Sequence, residues 1–251
     1  MNVGIFLGTF NPPHIGHVSL VYEALDTKMV DKVIVVPAFR NPWKSRGLDT
    51  DNDWSLDREF YFRHDMCKAM FADLINGGKV IVSDIEYDIW RQDHKYDEDC
   101  VYSCETLGRI STQWRQVLDI KDEDGKNREK PKFILVTTSE TLLTMDKWMN
   151  GNYIMATYPI MAMSTDTMDT DLLVKARSDK HADEIVESYA FWPIHDFKIH
   201  STELRKRFVR GKTLFPFINR KTWEIITSKD NFAHVSKMYK NLVDSSNKNI
   251  N

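Results

Sequence analysis

The segment Gly8-Thr9-Phe10-Asn11-Pro12-Pro13-His14-Ile15-Gly16-His17 gathers side chains suited to handling a polyphosphate. It follows an apolar run, Val3 to Leu7, and precedes Val18, Val21, Ala24 and Leu25, which recur at helical spacing. A loop between a strand and a helix start offers unpaired backbone N–H groups and the positive end of the macrodipole. Gly8 would let a ligand approach the backbone closely. His14 and His17 are three apart and share a face once the helix has begun. Two imidazoles, the Thr9 hydroxyl and free amides then converge on one anion. The same residues have plainer uses. Prolines shape turns, and histidines are often satisfied polar groups. A His-x-x-His pair can bind metal, but no third His, Cys or carboxylate lies close in sequence, so no metal site is expected.

A second such segment is Ile199-His200-Ser201-Thr202-Glu203-Leu204-Arg205. Ser201 or Thr202 suits an N-cap and Glu203 a first helical turn, with Arg205 one turn in. This reads either as an ordinary capped helix with a surface Arg or as a second phosphate cradle.

These segments need elements to carry them. Lys32–Ala38, Lys79–Ile85 and Lys132–Thr137 read as further strands, and Ile154–Met163 holds a fifth. Met66, Cys67, Met70, Phe71 and Leu74 mark a helix face that Asn76-Gly77-Gly78 stops, and a helix is expected from about Ser103 to Leu118. The charged stretch Lys121–Lys130 reads as a solvated loop. Alternating strands and helices predict an α/β fold, Rossmann-like and doubly wound, with a mainly parallel sheet and helices on both faces. Ligands bind such sheets outside the carboxyl ends of the strands, where the Gly8–His17 loop would lie. No internal repeat or linker interrupts the chain. One domain over 1–245 is expected, with a C-terminal helical segment at about 200–245 and a polar tail at 246–251.

Composition narrows the class. The 251 residues are 42% hydrophobic and 28% charged, ordinary for a soluble protein. A net charge of −3 argues against broad nucleic-acid binding but not against a local phosphate site. No apolar run of about 18 residues implies a membrane span. Met1 leads straight into the first strand without a basic and apolar leader, so no secretory signal is expected. Three cysteines, Cys67, Cys100 and Cys104, fit a reduced, cytoplasmic protein. Cys100 and Cys104 with His94 lack the close Cys pair usual for zinc.

His14-Ile15-Gly16-His17 resembles the His-x-Gly-His signature of the nucleotidyltransferase superfamily, shared with class I aminoacyl-tRNA synthetases. Both segments, in this order and separation, resemble the nicotinate/nicotinamide mononucleotide adenylyltransferases, whose C-terminal motif is Ile-Ser-Ser-Thr-x-x-Arg; His200 replaces its first Ser. The resemblance spans nearly the whole chain. Pro42-Trp43-Lys44 stands where that family has a Pro-x-Lys loop, Arg63 with Met66 matches its Arg-x-x-Met helix, and Val82–Glu86 its third strand. Tyr102–Leu107 is similar to its Ser-Tyr-Thr-x-x-Thr-Leu segment, Trp148 falls at its pyridine-side aromatic, and Phe215–Ile226 resembles its closing helix. Two departures stand out: Thr138-Ser139-Glu140 replaces Gly-x-Asp, and Ile89–Asp99 is longer and more polar than the family's turn.

The resemblance implies attack by the 5′-phosphate of a pyridine mononucleotide on the α-phosphorus of ATP, giving a dinucleotide and pyrophosphate. Such a nucleophile needs no strong base, so catalysis is positioning and charge stabilisation. His14, His17 and Arg205 are the implied catalytic residues. Gly8, Thr9, Phe10, Gly16, Lys44, Ser201 and Thr202 would complete the ATP site with them, and Thr106, Trp148 and Lys44 the mononucleotide site. Mg²⁺ would travel with ATP, with few dedicated protein ligands. The implied partners are ATP and the mononucleotide, with no nucleic acid or membrane, and room for a homo-oligomer. Lys44 also reads as a solvated loop Lys, and Trp148 as a core Trp. Three other functions remain open: an adenylyl- or cytidylyltransferase acting on phosphopantetheine or a phosphorylated alcohol, a class I synthetase fragment, and a non-catalytic nucleotide-binding regulator. The Ser201-Thr202-x-x-Arg205 motif and the Trp148 segment oppose the first. No tRNA-binding domain or Lys-Met-Ser-Lys-Ser-like loop supports the second, and intact His14, His17 and Arg205 oppose the third. The choice between nicotinate and nicotinamide is not written in the motifs.

Overall fold

The computed structural model describes residues 1–40, 54–94, 100–118, 129–164, 189–193 and 199–248. Six strands form one sheet: β1 Asn2–Gly8, β2 Lys32–Pro37, β3 Val80–Val82, β4 Lys132–Thr138, β5 Ile160–Ser164 and β6 Tyr189–Pro193. All pair in parallel, in the order β3-β2-β1-β4-β5-β6. This is the doubly wound order, whose direction reverses between β1 and β4. The Gly8–His17 loop therefore leaves the sheet at the switch point.

Helices cover both faces, and the strand sequences show why. Val3 and Ile5 of β1, Ile34 and Val36 of β2, and Phe133 and Leu135 of β4 are buried in one core cluster. The intervening Phe6, Val33, Val35, Ile134 and Val136 are buried in the opposite one. Strands apolar on both pleat faces need both covered, which makes a continuous apolar run rather than an alternating one. The first cluster holds Ile85 and Ile89 of α4 (Ile85–Ile89) and Leu107 and Ile110 of α5 (Ser103–Thr112). The second holds Leu20, Val21 and Ala24 of α1 (Ile15–Asp26) and Leu74 of α3 (Ala72–Asn76). A third cluster packs Phe62 and Met66 of α2 (Leu56–Met70) against the C-terminal helices α9 (Ser201–Val209), α10 (Arg220–Thr227) and α11 (Phe232–Lys248).

Several expected boundaries move. The third strand ends at Val82 rather than Ile85, because Ser83 turns the chain: its hydroxyl accepts the Ile85 N–H at 3.3 Å and α4 begins there. The expected helix from Ser103 breaks at Gln113 into α5 and α6 (Trp114–Val117). Residues 151–157 form α8 (Gly151–Thr157), so only the later part of the 154–163 run is strand. The sixth strand was not anticipated, and α11 continues to Lys248, into the expected tail. The charged stretch 121–130 lies almost wholly outside the described residues. Within them, no helix is long and apolar enough to cross a membrane.

Candidate active site

The loop after β1 is built around Phe10. Its backbone is left-handed, at φ 49°, and its ring is buried. The ring lies edge-on to Phe6 at 5.2 Å and to His17 at 4.9 Å. A Cβ on Gly8 would lie 2.8 Å from the Phe10 ring. The expectation that Gly8 opens its backbone to a ligand is therefore revised: the space its missing side chain leaves is filled by Phe10. Thr9 contributes its carbonyl, which accepts from Arg63 at 3.1 Å.

At the start of α1, His14 occupies the N-cap in extended conformation and His17 is the third helical residue. The His14 N–H donates to His17 Nδ1 at 3.1 Å, a reach-back that satisfies one of the orphan donors of a helix start. With Nδ1 accepting, the donor face of the neutral His17 ring is Nε2. The two imidazoles stack at 3.7 Å. A Cβ on Gly16 would lie 3.1 Å from His14 Nδ1, so glycine leaves His14 its place. His14 is buried, and its Nδ1 has no protein hydrogen-bond partner. Burial first, and the nearby His200 second, push its pKa down to about 3, so it is neutral at physiological pH in the ligand-free protein. The amides are not all open. The Ile15 N–H donates to the Phe217 carbonyl at 2.8 Å, from the chain before α10.

The second motif is drawn onto the first. Ser201 or Thr202 was expected to cap the helix, but the cap residue is His200, with no side-chain cap bond. Ser201 instead donates to the Pro12 carbonyl at 2.9 Å. Arg205 donates from Nη1 to the Asn11 carbonyl at 2.6 Å and from Nη2 to the Thr202 hydroxyl at 2.9 Å. At 7% exposure it is not the surface Arg of the ordinary-helix reading. Two helix N-termini, two histidines and an arginine thus share one place at the sheet's binding edge, although the motifs are nearly the whole chain apart.

The end of β4 faces the same place. Thr138, where the resembled family has Gly, caps the short α7 (Ser139–Leu143) by accepting the Thr141 N–H at 3.3 Å. Glu140 then lies with Oε1 4.0 Å from His200 Nε2. Two positions where the chain departs from the family pattern are therefore neighbours, a relation their sequence separation hides.

Trp148 follows a single 3₁₀ turn, Met145–Lys147, and is half-buried against the first core cluster. Its N–H donates to Met145 O and its carbonyl accepts from Gly151 N–H, each at 3.0 Å. A Cβ on Gly151 would lie 1.9 Å from Met145 O. Gly151→Ala must therefore open the turn, and should cost about 1–3 kcal/mol as overpacking does. Thermal denaturation checks this, and an unchanged melting temperature would show that the turn relaxes freely. The Asn150-Gly151 dipeptide, with Asn150 at φ 54°, is the turn signal that could have marked this position.

Thr106 is fully buried; its hydroxyl donates to Glu86 Oε1 at 3.0 Å, with the Tyr102 carbonyl at 3.3 Å. It stands behind the site rather than open to it. Lys44 lies outside the described residues. Sequence reasoning missed the parts played by Asn11, Phe217 and Gly151, because backbone carbonyls and close approaches leave little trace in residue type. Among the described residues no three His, Cys, Asp or Glu side chains gather to hold a metal.

No family model matches the chain. It is 25% identical over 225 residues to a Clostridium tetani protein named "Probable nicotinate-nucleotide adenylyltransferase", covering 88% of this chain and 94% of that one. A Christiangramia forsetii protein of the same name is 23% identical, covering 89% and 94%. Among solved structures, Plasmodium falciparum nicotinic acid mononucleotide adenylyltransferase complexed with APC aligns with a TM-score of 0.57 at 15% identity, covering 91% of this chain and 96% of that chain. The same enzyme complexed with NaAD gives 0.55 at 17% identity, covering 90% and 94%. The structural likeness bears on the fold; the relatives match along nearly their whole length.

A doubly wound sheet with a His-x-Gly-His helix start at its switch point defines the chain as a nucleotidyltransferase, and so as an enzyme. Over most of its length the chain is similar to proteins named nicotinate-nucleotide adenylyltransferase.

Proposed function

We propose that the protein transfers the adenylyl group of ATP to nicotinate mononucleotide. The 5′-phosphate oxygen of the mononucleotide attacks the α-phosphorus, the bond to the β-phosphate oxygen breaks, and deamido-NAD and pyrophosphate result. The carrying observation is the Ser201–Pro12 and Arg205–Asn11 fastening, which converges two helix starts on His14 and His17. The names of the whole-length relatives support nicotinate as the pyridine.

In this reading His17 Nε2 donates to a phosphate oxygen that gains charge as the α-phosphorus is attacked. His14, neutral without ligand, gains proton affinity as phosphates bring negative charge beside it. Ser201 and Thr202 carry the helix start that receives the β- and γ-phosphates, and Arg205 holds that start against the first loop. Gly8, Thr9, Phe10 and Gly16 shape the loop, and Lys44 adds a cation from the second one. Mg²⁺, held mainly by the phosphates and water, would neutralise their charge.

Pyrophosphate release tests the reading with ATP and, in turn, nicotinate mononucleotide, nicotinamide mononucleotide and phosphopantetheine. The highest kcat/KM is expected with nicotinate mononucleotide. Preference for phosphopantetheine, or no turnover with any of the three, overturns it.

Trp148, half-buried against the first core cluster, is assigned to the pyridine ring. Stacking should contribute about 0.5–1.5 kcal/mol beyond area burial. Trp148→Phe should raise the mononucleotide KM modestly and Trp148→Ala more, with the ATP KM unmoved. A fall in melting temperature with both KM values intact would return Trp148 to the core alone.

A further inference from the structure

A buried polar hub lies beneath the site. Arg63 of α2, 7% exposed, donates to the carbonyls of Thr9 at 3.1 Å, Ala38, and Phe39 at 2.6 Å. Glu86 of α4, 3% exposed, accepts the Phe39 N–H at 2.7 Å on Oε2 and the Thr106 hydroxyl at 3.0 Å on Oε1. Phe39 is thus held at both its N–H and its carbonyl by side chains of opposite charge. The hub ties together the exits of β1 and β2, the start of α4 and the first turns of α5. Asn150, next to the Trp148 turn, reaches the same end of α5, its Nδ2 3.7 Å from Cys104 Sγ.

Charge is a costly way to hold a fold, since well-packed apolar residues of similar volume often do as well or better. What this pair supplies is directional hold on backbone at the binding edge of the sheet. We infer that Glu86, with Arg63, is a positioning residue for the reaction, holding the segment that leaves β2 against α5 so that the mononucleotide side keeps its shape. This rests on the reading given under Proposed function.

The protonation of Glu86 adds a second handle. Both of these bonds are donated to it, the arrangement of an ionised carboxylate. Burial pushes its pKa up to about 7, while the Phe39 N–H, Thr106 hydroxyl and Arg63 charge pull it back and Glu105 pushes it further up. Glu59 and Cys67 of α2 and Arg40 after β2 act on Arg63 in turn. A proton on Glu86 would displace one donor, and Thr106 has the Tyr102 carbonyl to turn to. The sign follows. A raised carboxyl pKa means the fold binds this proton more tightly than the open chain. Its stabilising contribution is full below the ordinary value of 4.5 and is lost as pH rises through about 7. Positioning needs the ionised form, so mononucleotide use should rise over the interval in which that stabilisation fades.

Glu86→Gln tests this. It should raise the mononucleotide KM by about tenfold with the ATP KM within about twofold, as misplacement of one wall would. It should also erase an inflection near pH 7 in kcat/KM for the mononucleotide. Unchanged KM values and an unchanged profile, or a lower melting temperature alone, overturn the inference. Should Glu86→Gln fail to fold, Thr106→Val removes one donor: the inflection should then move to higher pH with a raised mononucleotide KM, and no movement overturns the inference. Wild-type protein inactive on both pyridine mononucleotides overturns the functional reading and this inference with it. An active wild type with unaltered variants overturns the role of Glu86 alone.

Discussion

His17→Ala should lower turnover by about 10²-fold or more, the loss seen when a preorganised transition-state donor is removed. The structure gives that donor a defined direction. Nδ1 of His17 is occupied by the His14 N–H, so the neutral ring presents its proton at Nε2. Phe10 fixes the ring edge-on and His14 stacks against it, so little reorganisation remains when the phosphate charge shifts. The folding cost should be small by comparison, about 1 kcal/mol for losing the reach-back at the helix start. Steady-state turnover and melting temperature on one preparation separate the two effects. Wild-type turnover in His17→Ala would place the chemistry elsewhere.

The next largest effect is expected at Arg205. Arg205→Lys keeps the charge but loses the fork that grips the Asn11 carbonyl and the Thr202 hydroxyl at once. ATP use should weaken by roughly 1–3 kcal/mol, the scale of charge-assisted hydrogen bonds, with the mononucleotide KM much less affected. Because the same fork fastens the two motifs, stability should fall too, which the sequence alone did not foretell. The measurement is kcat/KM for each substrate at a temperature where the variant is fully folded. Unaltered ATP kinetics with a lowered melting temperature would leave Arg205 as a fastener only.

The relation between His200 and Glu140 shows how far a motif reading reaches. Each was visible in sequence as a departure, one at a helix start and one after a strand. Their 4.0 Å approach follows from β4 lying beside β1 at the switch point and from Ser201 reaching Pro12, neither of which is local. Arg63 and Glu86 are similar. Their types and places within matching segments could be read, but not that their partners would be the backbone of Thr9, Ala38 and Phe39.

The sequence by itself determined the strands buried on both faces, because Val, Ile, Leu and Phe in unbroken runs leave no solvent side. It also determined the helix start at His14, because a loop rich in proline and glycine must end where the apolar period of 3.6 begins. From these came the α/β fold and the expectation of a phosphate site beside that helix start. Tertiary structure alone decided what each polar group does there. It gave the space above Gly8 to Phe10, the first amide of α1 to Phe217, the Ser201 hydroxyl to Pro12 and the Thr106 hydroxyl to Glu86. The physical reason is that hydrophobic periodicity is a property of neighbours in the chain. A hydrogen bond from a side chain to a distant carbonyl depends on where the sheet order and the third core cluster bring that carbonyl, and no residue type along the chain records it.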